Sequence, residues 1–205
     1  GHELGHKTDE PVKLICAHIL LATSLQNHFM TYHNSGHHRD VATPNDLTTA
    51  KKGQSFYHFA IQSQIGGYFK TWKLEREKLL RQGKSTFLNP MIILTLIPWS
   101  LQAFIFIYFG WITGILYLLA SIFGISMLES QNYFSHYGLT RNKKEDGSYE
   151  RVKAHHSWNS DHLLGRILLF ELTRHSDHHF MGAKPYQVLE SKADSPLLPY
   201  GYPAM

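Results

Sequence analysis

Residues 91–128 read MIILTLIPWSLQAFIFIYFGWITGILYLLASIFGISML, and none of them is charged. The gap is wider still, since no Asp, Glu, Lys or Arg occurs between Lys84 and Glu129. A helix crosses a bilayer in about 20 apolar residues, so Met91 to Leu128 is long enough to cross twice. We read it as a helical hairpin that turns at Phe109-Gly110-Trp111, with Trp99, Tyr108, Trp111 and Tyr117 as interfacial aromatics. The competing reading is one very long buried helix of a soluble protein. Both flanks are basic, with Lys70, Lys73, Arg76, Lys78, Arg81 and Lys84 before the stretch and Arg141, Lys143, Lys144, Arg151 and Lys153 after it. Lys and Arg concentrate on the cytoplasmic side of spanning segments, so both flanks belong there, which is where two crossings return the chain.

Outside the hairpin the dominant signal is histidine. In Arg174-His175-Ser176-Asp177-His178-His179 the imidazoles stand at helical i, i+3 and i+4, one face of a helix, and are expected to aim at a single point. Two clusters answer it upstream, His2-Glu3-Leu4-Gly5-His6 and His33-Asn34-Ser35-Gly36-His37-His38. His136 lies in Asn132-Tyr133-Phe134-Ser135-His136-Tyr137-Gly138, where a lone histidine at a helix end reads as structural on its own terms. Together these are more imidazoles than one ion takes. A solvated histidine-rich loop would explain one such cluster, but not three.

Taken alone, His2 to His6 matches HExxH, in which two histidines bind zinc and the glutamate activates water. A zinc protease needs one more ligand and leaves the other clusters without a task. A non-catalytic metal carrier predicts ionisable groups within the spans, and Met91 to Leu128 contains none. Neutral imidazoles suit iron, zinc or copper. Few carboxylates accompany them, unlike a hydrolytic two-metal centre, so redox chemistry with oxygen on an apolar substrate fits better.

The net charge of +4 is accounted for by the flanks and gives no reason to expect nucleic acid. A basic cytoplasmic face attracts anionic lipid headgroups or an acidic protein partner. Cys16 is the only cysteine, which excludes an internal disulfide and iron–sulfur or cysteine–zinc ligation within the chain. There is no initiating Met and no closing element after Tyr200-Gly201-Tyr202-Pro203-Ala204-Met205, so we expect a fragment truncated at both ends.

In chain order, Asp9-Glu10-Pro11 opens a helix whose apolar run extends from Val12 to about Met30, interrupted by Ser24, Gln26 and Asn27, as an interfacial or partly inserted segment. A straight helix of about 20 residues spans ~30 Å, so His6 and His33 share a site only if the chain bends, and we expect a break near Lys7 to Pro11. His18 and His28 read as core or interfacial polar residues, and His58 as ordinary. Gly36 allows close backbone approach, and Arg39 and Asp40 can contact the ligands from behind. Thr43-Pro44-Asn45-Asp46 forms a turn. Phe56 to Leu80 reads as an amphipathic helix with a solvated charged half. Beyond the hairpin, Glu129 to Gly138 continues the second membrane helix, and Asn142 to Tyr149 is a charged surface loop. A helix capped near Asn159 or Ser160, with the apolar face Leu163, Leu164, Ile167, Leu168 and Phe170, is expected to deliver the last histidine cluster. From Pro185 onward the chain reads as irregular.

The motif Asn-Tyr-x-x-His-Tyr-Gly at 132–138, with Arg-His-Ser-Asp-His-His at 174–179, resembles the membrane-bound alkane 1-monooxygenases, relatives of the xylene monooxygenases and of fatty acid desaturases. The resemblance also takes in Gly1 to Lys7, His33 to Pro44, His155 to Ser160 and Gly201-Tyr202-Pro203. It implies an all-α integral-membrane helical bundle of six helices, of which residues 1–205 hold the last two crossings and a cytoplasmic histidine-rich di-iron cap. It implies two non-haem iron ions ligated by His2, His6, His33, His37, His38, His136, His175, His178 and His179, with Glu3, Asp40, Asn132 and Asp177 behind them. It implies electrons from rubredoxin or a similar carrier, O2 as oxidant, and terminal hydroxylation of an apolar substrate to a primary alcohol. Fatty acyl chains or alkyl aromatics are the alternative substrates on the same metals. Tyr32 and Ser135 depart from the family, standing where it commonly has glutamate.

Overall fold

The computed structural model describes residues 1–205, apart from the side chain of Pro203. In chain order its helices are α1 (His2–Gly5), α2 (Pro11–Ala22), α3 (Phe29–Tyr32), α4 (His38–Asp40), α5 (Phe56–Ile61), α6 (Gly67–Arg81), α7 (Met91–Tyr108), α8 (Trp111–His136), α9 (Leu163–Leu168) and α10 (His175–Phe180), with π-helical turns at His33–His37 and Gln62–Gly66. Among the described residues no strand forms, and the isolated bridges join Lys143 to Tyr149 and Asn159 to Leu197. The chain divides into two compact units, the first Gly1–Gly36 with Gln64–Leu128, the second His37–Ser63 with Glu129–Met205.

The first unit contains the hairpin. The two apolar helices that form it have a mean hydropathy of 1.9 each, yet only 17% and 11% of these spans is buried. α7 ends at Tyr108 and α8 starts at Trp111, so the stretch is not a single long helix. The helices part at Gly110, whose φ of +88° is open to glycine and strained for other residues. Across the turn the Gln102 side-chain amide donates to the Gly114 carbonyl at 2.9 Å.

The expected break near Lys7 to Pro11 is present, with α1 ending at Gly5 and α2 starting on Pro11. The expected run from Val12 to Met30 is not one helix. It stops at Ala22, where the Gln26 N–H returns to the Leu21 carbonyl at 2.8 Å and Leu25 takes a φ of +59°. This is the geometry of a left-handed helix stop, normally built on glycine. With leucine there, only the polar Ser24, Gln26 and Asn27 hinted at it. Leu21, Phe29 and Met30 then pack as a small core with Leu128 against it. Gly5 lies so close to Met30 that a Cβ would stand 2.3 Å from its Cε. That approach lays α1 beside the segment leading into His33.

The second unit is joined by loop backbone. Gly138 N–H donates to the Ala50 carbonyl at 2.8 Å, Arg141 N–H to Ala42 at 2.7 Å and Trp158 N–H to Ser135 at 2.8 Å. The helix expected to run from Asn159 into the last cluster is a second correction. α9 begins only at Leu163, and Phe170 and Glu171 stop it with φ of +50° and +57°. Its apolar face is exposed, with Leu163 67% and Ile167 63% accessible, and α10 forms separately. Asn159 serves that later helix instead, its side-chain oxygen accepting the Ser176 N–H at 2.9 Å.

A Cβ on Gly110 would meet nothing within 4 Å, so replacing it tests the backbone alone. Gly110→Ala is expected to cost about 1 kcal/mol, and Gly110→Asn less, from the left-handed conformation. Equilibrium unfolding in detergent measures this. No loss in either variant would show that the turn does not need the conformation.

Candidate metal centre

In the first unit, α1 places His2 and His6 one turn apart, and the first residue of the π turn adds His33. His2 Nε2 lies 2.8 Å from His33 Nε2 and 3.3 Å from His6 Nε2. The ring centroids are 4.6 to 5.0 Å apart. Asn34 fastens the start of this unit from the other side, its amide donating to the Gly5 carbonyl at 3.0 Å. Glu3 turns to Lys7, 3.5 Å away.

In the second unit four buried imidazoles, His37, His136, His175 and His179, gather with their ligand atoms all within 4.8 Å of one another. The contacts run Nε2 to Nε2, from His37 to His179 at 3.2 Å, His179 to His175 at 3.1 Å, and His175 to His136 at 3.0 Å. The three histidines of α10 do not share one point. Residues i+3 and i+4 diverge by about 100° around a helix axis, so His175 and His179 enter this cluster while His178 Nε2 meets His38 Nε2 at 3.1 Å.

The other ring nitrogens decide what those Nε2 atoms are. His37 donates its Nδ1–H to Asp46 Oδ2 at 2.8 Å, and His136 donates its own to the His156 carbonyl at 3.4 Å. When neutral, each ring oriented this way presents a bare lone pair at Nε2. The Gln131 side-chain amide lies 3.4 Å from His175 Nδ1 and, unlike a backbone N–H, can turn either its nitrogen or its oxygen to the ring, and His179 Nδ1 is buried without a hydrogen-bond partner, so neither contact fixes a tautomer. Burial, then repulsion from His38, His175, His37 and His136, holds the His179 pKa well below the ordinary value, so the ring is neutral at pH 7. Lone pairs converging in a buried site repel unless a proton or a cation stands between them. Separations near 3 Å are what neighbouring ligands show around one ion with metal–nitrogen bonds of about 2.1 Å. The donor set fits a metal.

Asp46 was read only as a turn residue, and it is the best-supported residue behind the imidazoles. Burial alone would raise its carboxyl pKa, but attraction to His37 and bonds from His37, Thr49 and Thr48 override this and hold it far below the usual range. Thr49 Oγ1 donates at 2.6 Å and Thr48 Oγ1 at 2.8 Å. The local signal was a Thr- and Asp-rich turn nine residues after His37, which spacing alone does not connect to a ligand. Of the residues expected behind the ligands, Asp40 is paired with Arg39 through two bonds of 2.8 Å, and Asn132 is buried. Asp177 accepts Lys184 at 2.6 Å and Lys192 at 3.1 Å. Lys184 lies in the turn after α10 and Lys192 in the irregular tail, and together they clamp α10.

Both departures from glutamate have local explanations. The Tyr32 ring packs where a Cβ on Gly36 would stand 2.7 Å from it, and Lys70 Nζ lies 5.6 Å from its centroid. Ser135 Oγ bonds the buried Tyr202 hydroxyl at 2.8 Å. A third group, Glu150, His155 and His156, also clusters. There the His156 Nδ1 accepts the Lys153 N–H at 2.9 Å, so the ring proton is on Nε2, 3.5 Å from Glu150. That ring has no lone pair left for a metal.

The fatty acid desaturase family model matches residues 1–205. The chain belongs to the fatty acid desaturase family. It is 44% identical to alkane 1-monooxygenase 1 of Alcanivorax borkumensis over 211 residues, which is 100% of this chain and 51% of that protein. It is 44% identical to alkane 1-monooxygenase of Ectopseudomonas oleovorans over 209 residues, 99% of this chain and 51% of that protein. The hydroxylase component of a xylene/toluene monooxygenase from Pseudomonas putida is 29% identical over 169 residues, 82% of this chain and 44% of its own length. The chain thus spans about half the length of the curated relatives it matches. Family and histidine clusters together imply a non-haem iron centre, and the two apolar helices indicate membrane association.

Asp46→Ala removes the acceptor that orients His37. In the full-length protein it is expected to weaken metal retention against a chelator by about 10- to 100-fold, with the exposed Asp161→Ala as control. Retention unchanged in Asp46→Ala would contradict the role given to Asp46.

Proposed function

We propose that residues 1–205 carry the metal-binding half of an oxygen-dependent hydroxylase that converts an alkane or similar apolar substrate to its primary alcohol. The observation behind this reading is the all-imidazole donor set, buried, with Nε2 atoms turned inward and no cysteine or carboxylate among its four members. Hydrolytic two-metal sites use bridging carboxylates to balance charge, and a neutral nitrogen set suits a redox ion instead. The alkane 1-monooxygenase relatives, similar over the whole chain, support the substrate class. The xylene/toluene relative matches at lower identity.

In this reading two iron ions are held by His2, His6, His33, His37, His38, His136, His175, His178 and His179, with Glu3, Asp40, Asn132 and Asp177 behind them and Asp46 added. In the same reading the residues belong to one membrane domain of six helices, whose last two crossings are α7 and α8, and the basic flanks support a cytoplasmic side for the histidines. The overall reaction is RH + O2 + 2 e⁻ + 2 H⁺ → ROH + H2O, with the electrons from rubredoxin or a similar carrier. Bound iron supplies the activation of oxygen. The protein's part is to hold the rings, to fix their Nδ1 protons on Asp46 and the His156 carbonyl, and to keep water from the buried cluster.

The test is expression of the full-length protein, followed by iron per chain and alcohol formed from a medium-chain alkane under ¹⁸O₂ with rubredoxin and its reductase. We expect iron, labelled alcohol, loss of both in His178→Ala, and a far smaller loss in Glu3→Gln. Stoichiometric zinc with no alcohol would contradict the assignment.

A further inference from the structure

Tyr202 follows the last histidine cluster by a long irregular segment, yet the fold buries its hydroxyl against the end of α8, 2.8 Å from Ser135 Oγ. Ser135 and Gln131 stand one turn apart on that helix. The same end of the Gln131 side-chain amide lies 3.1 Å from Ser135 Oγ and 3.4 Å from His175 Nδ1. All four side chains are buried, and all belong to the second unit. A line of polar groups thus runs from Tyr202 through Ser135 and Gln131 to the far nitrogen of a candidate ligand.

The two ends of an amide are alike in shape, so its orientation follows from where its partners' protons are. With the nitrogen end inward, Gln131 donates to Nδ1 and the His175 proton sits on Nε2, 3.0 Å from His136 Nε2 and 3.1 Å from His179 Nε2. That ring cannot bind a metal through Nε2. With the oxygen end inward, His175 donates its Nδ1–H to Gln131, and Nε2 carries the lone pair. Ser135 then gives its only proton to the same Gln131 oxygen. The other contact of Ser135 Oγ among the described residues is Tyr202, whose phenol must be the donor there. Every proton along the line is placed once the oxygen end faces the ring.

We propose that Tyr202, Ser135 and Gln131 form a brace that holds the Gln131 carbonyl on His175 Nδ1–H and so tunes His175 as a metal ligand. An acceptor on Nδ1–H makes the opposite nitrogen more basic. A more basic nitrogen favours ferric over ferrous iron. Gln131 and Tyr202 are positioning residues. Without the phenol, Ser135 can accept from the amide nitrogen instead, and the unproductive orientation opens. The proposal rests on the oxygenase reading for the identity of the metal, whereas the orientation of the amide is the same for any ion bound at Nε2.

The experiment uses the full-length, iron-loaded protein and reads its midpoint potential by redox titration and its metal retention against a chelator. Gln131→Leu removes the acceptor. It is expected to weaken retention by about 10- to 100-fold, and to raise the potential as the ferric-to-ferrous affinity ratio falls at least about tenfold, which is about 59 mV for one electron. Gln131→Glu supplies a stronger acceptor of nearly the same shape and is expected to lower the potential. A side chain that only fills space would move both variants the same way. Tyr202→Phe is expected to raise the potential by less than Gln131→Leu, and with Gln131→Glu it guards against a folding defect in the leucine variant. Glu145→Gln, on the exposed loop, is the control and is expected to change nothing. A potential that ignores Gln131→Leu, or that shifts in one direction in both Gln131 variants, would overturn the proposal. Alcohol formation separates this outcome from failure of the oxygenase reading. If the unaltered protein makes alcohol while its potential ignores Gln131, the brace fails alone. If the protein carries zinc and makes no alcohol, the oxygenase reading fails, and zinc retention in Gln131→Leu decides the brace, a loss supporting it and no change overturning it. A folded protein that holds no metal overturns both.

Discussion

Buried imidazoles whose lone pairs face one another cannot remain so without a positive charge between them. That constraint organises the second unit. At His37 and His136 the direction of Nε2 is set by what Nδ1 does, so the acceptors Asp46 and the His156 carbonyl matter as much as the rings. Asp46 in turn depends on Thr48 and Thr49, and α10 depends on Asn159, Lys184 and Lys192. Much of the unit's irregular chain is therefore support for four nitrogen atoms. This explains why so little regular structure surrounds so well-buried a cluster.

The same logic separates a metal site from a group that only looks like one. Glu150, His155 and His156 have suitable side chains at suitable distances. A single backbone N–H on the His156 Nδ1 moves that ring's proton to the wrong nitrogen. Proximity nominates ligands, and the partner of the far nitrogen decides among them.

The hairpin and the three histidine clusters could be read from the sequence because each depends on composition or short spacing, whereas His136, alone at a helix end, entered only through the family resemblance. An uncharged stretch of that length has few other uses, and His2/His6 or His175/His179 are one helical turn apart whatever surrounds them. What could not be read depends on contacts distant in sequence or on backbone conformations that residue type conceals. Leu25, Phe170 and Glu171 occupy the left-handed region without glycine to announce it, so α2 and α9 end earlier than their apolar runs suggest. Asp46 and Asn159 looked like ordinary turn and cap residues, and only folding brings the first to His37 and the second to Ser176. The expectation that His175, His178 and His179 share one point failed for a simpler reason, since i+3 and i+4 lie on either side of the helix face.

The central claim is that these imidazoles are metal ligands. X-ray absorption at the iron edge of the full-length protein, as isolated, tests it most directly. The account predicts a first shell of nitrogen at about 2.1 Å, with the outer-shell scattering of several imidazole rings. A sulfur shell, an oxygen-dominated shell without ring scattering, or a purified, folded protein that holds no iron would contradict it.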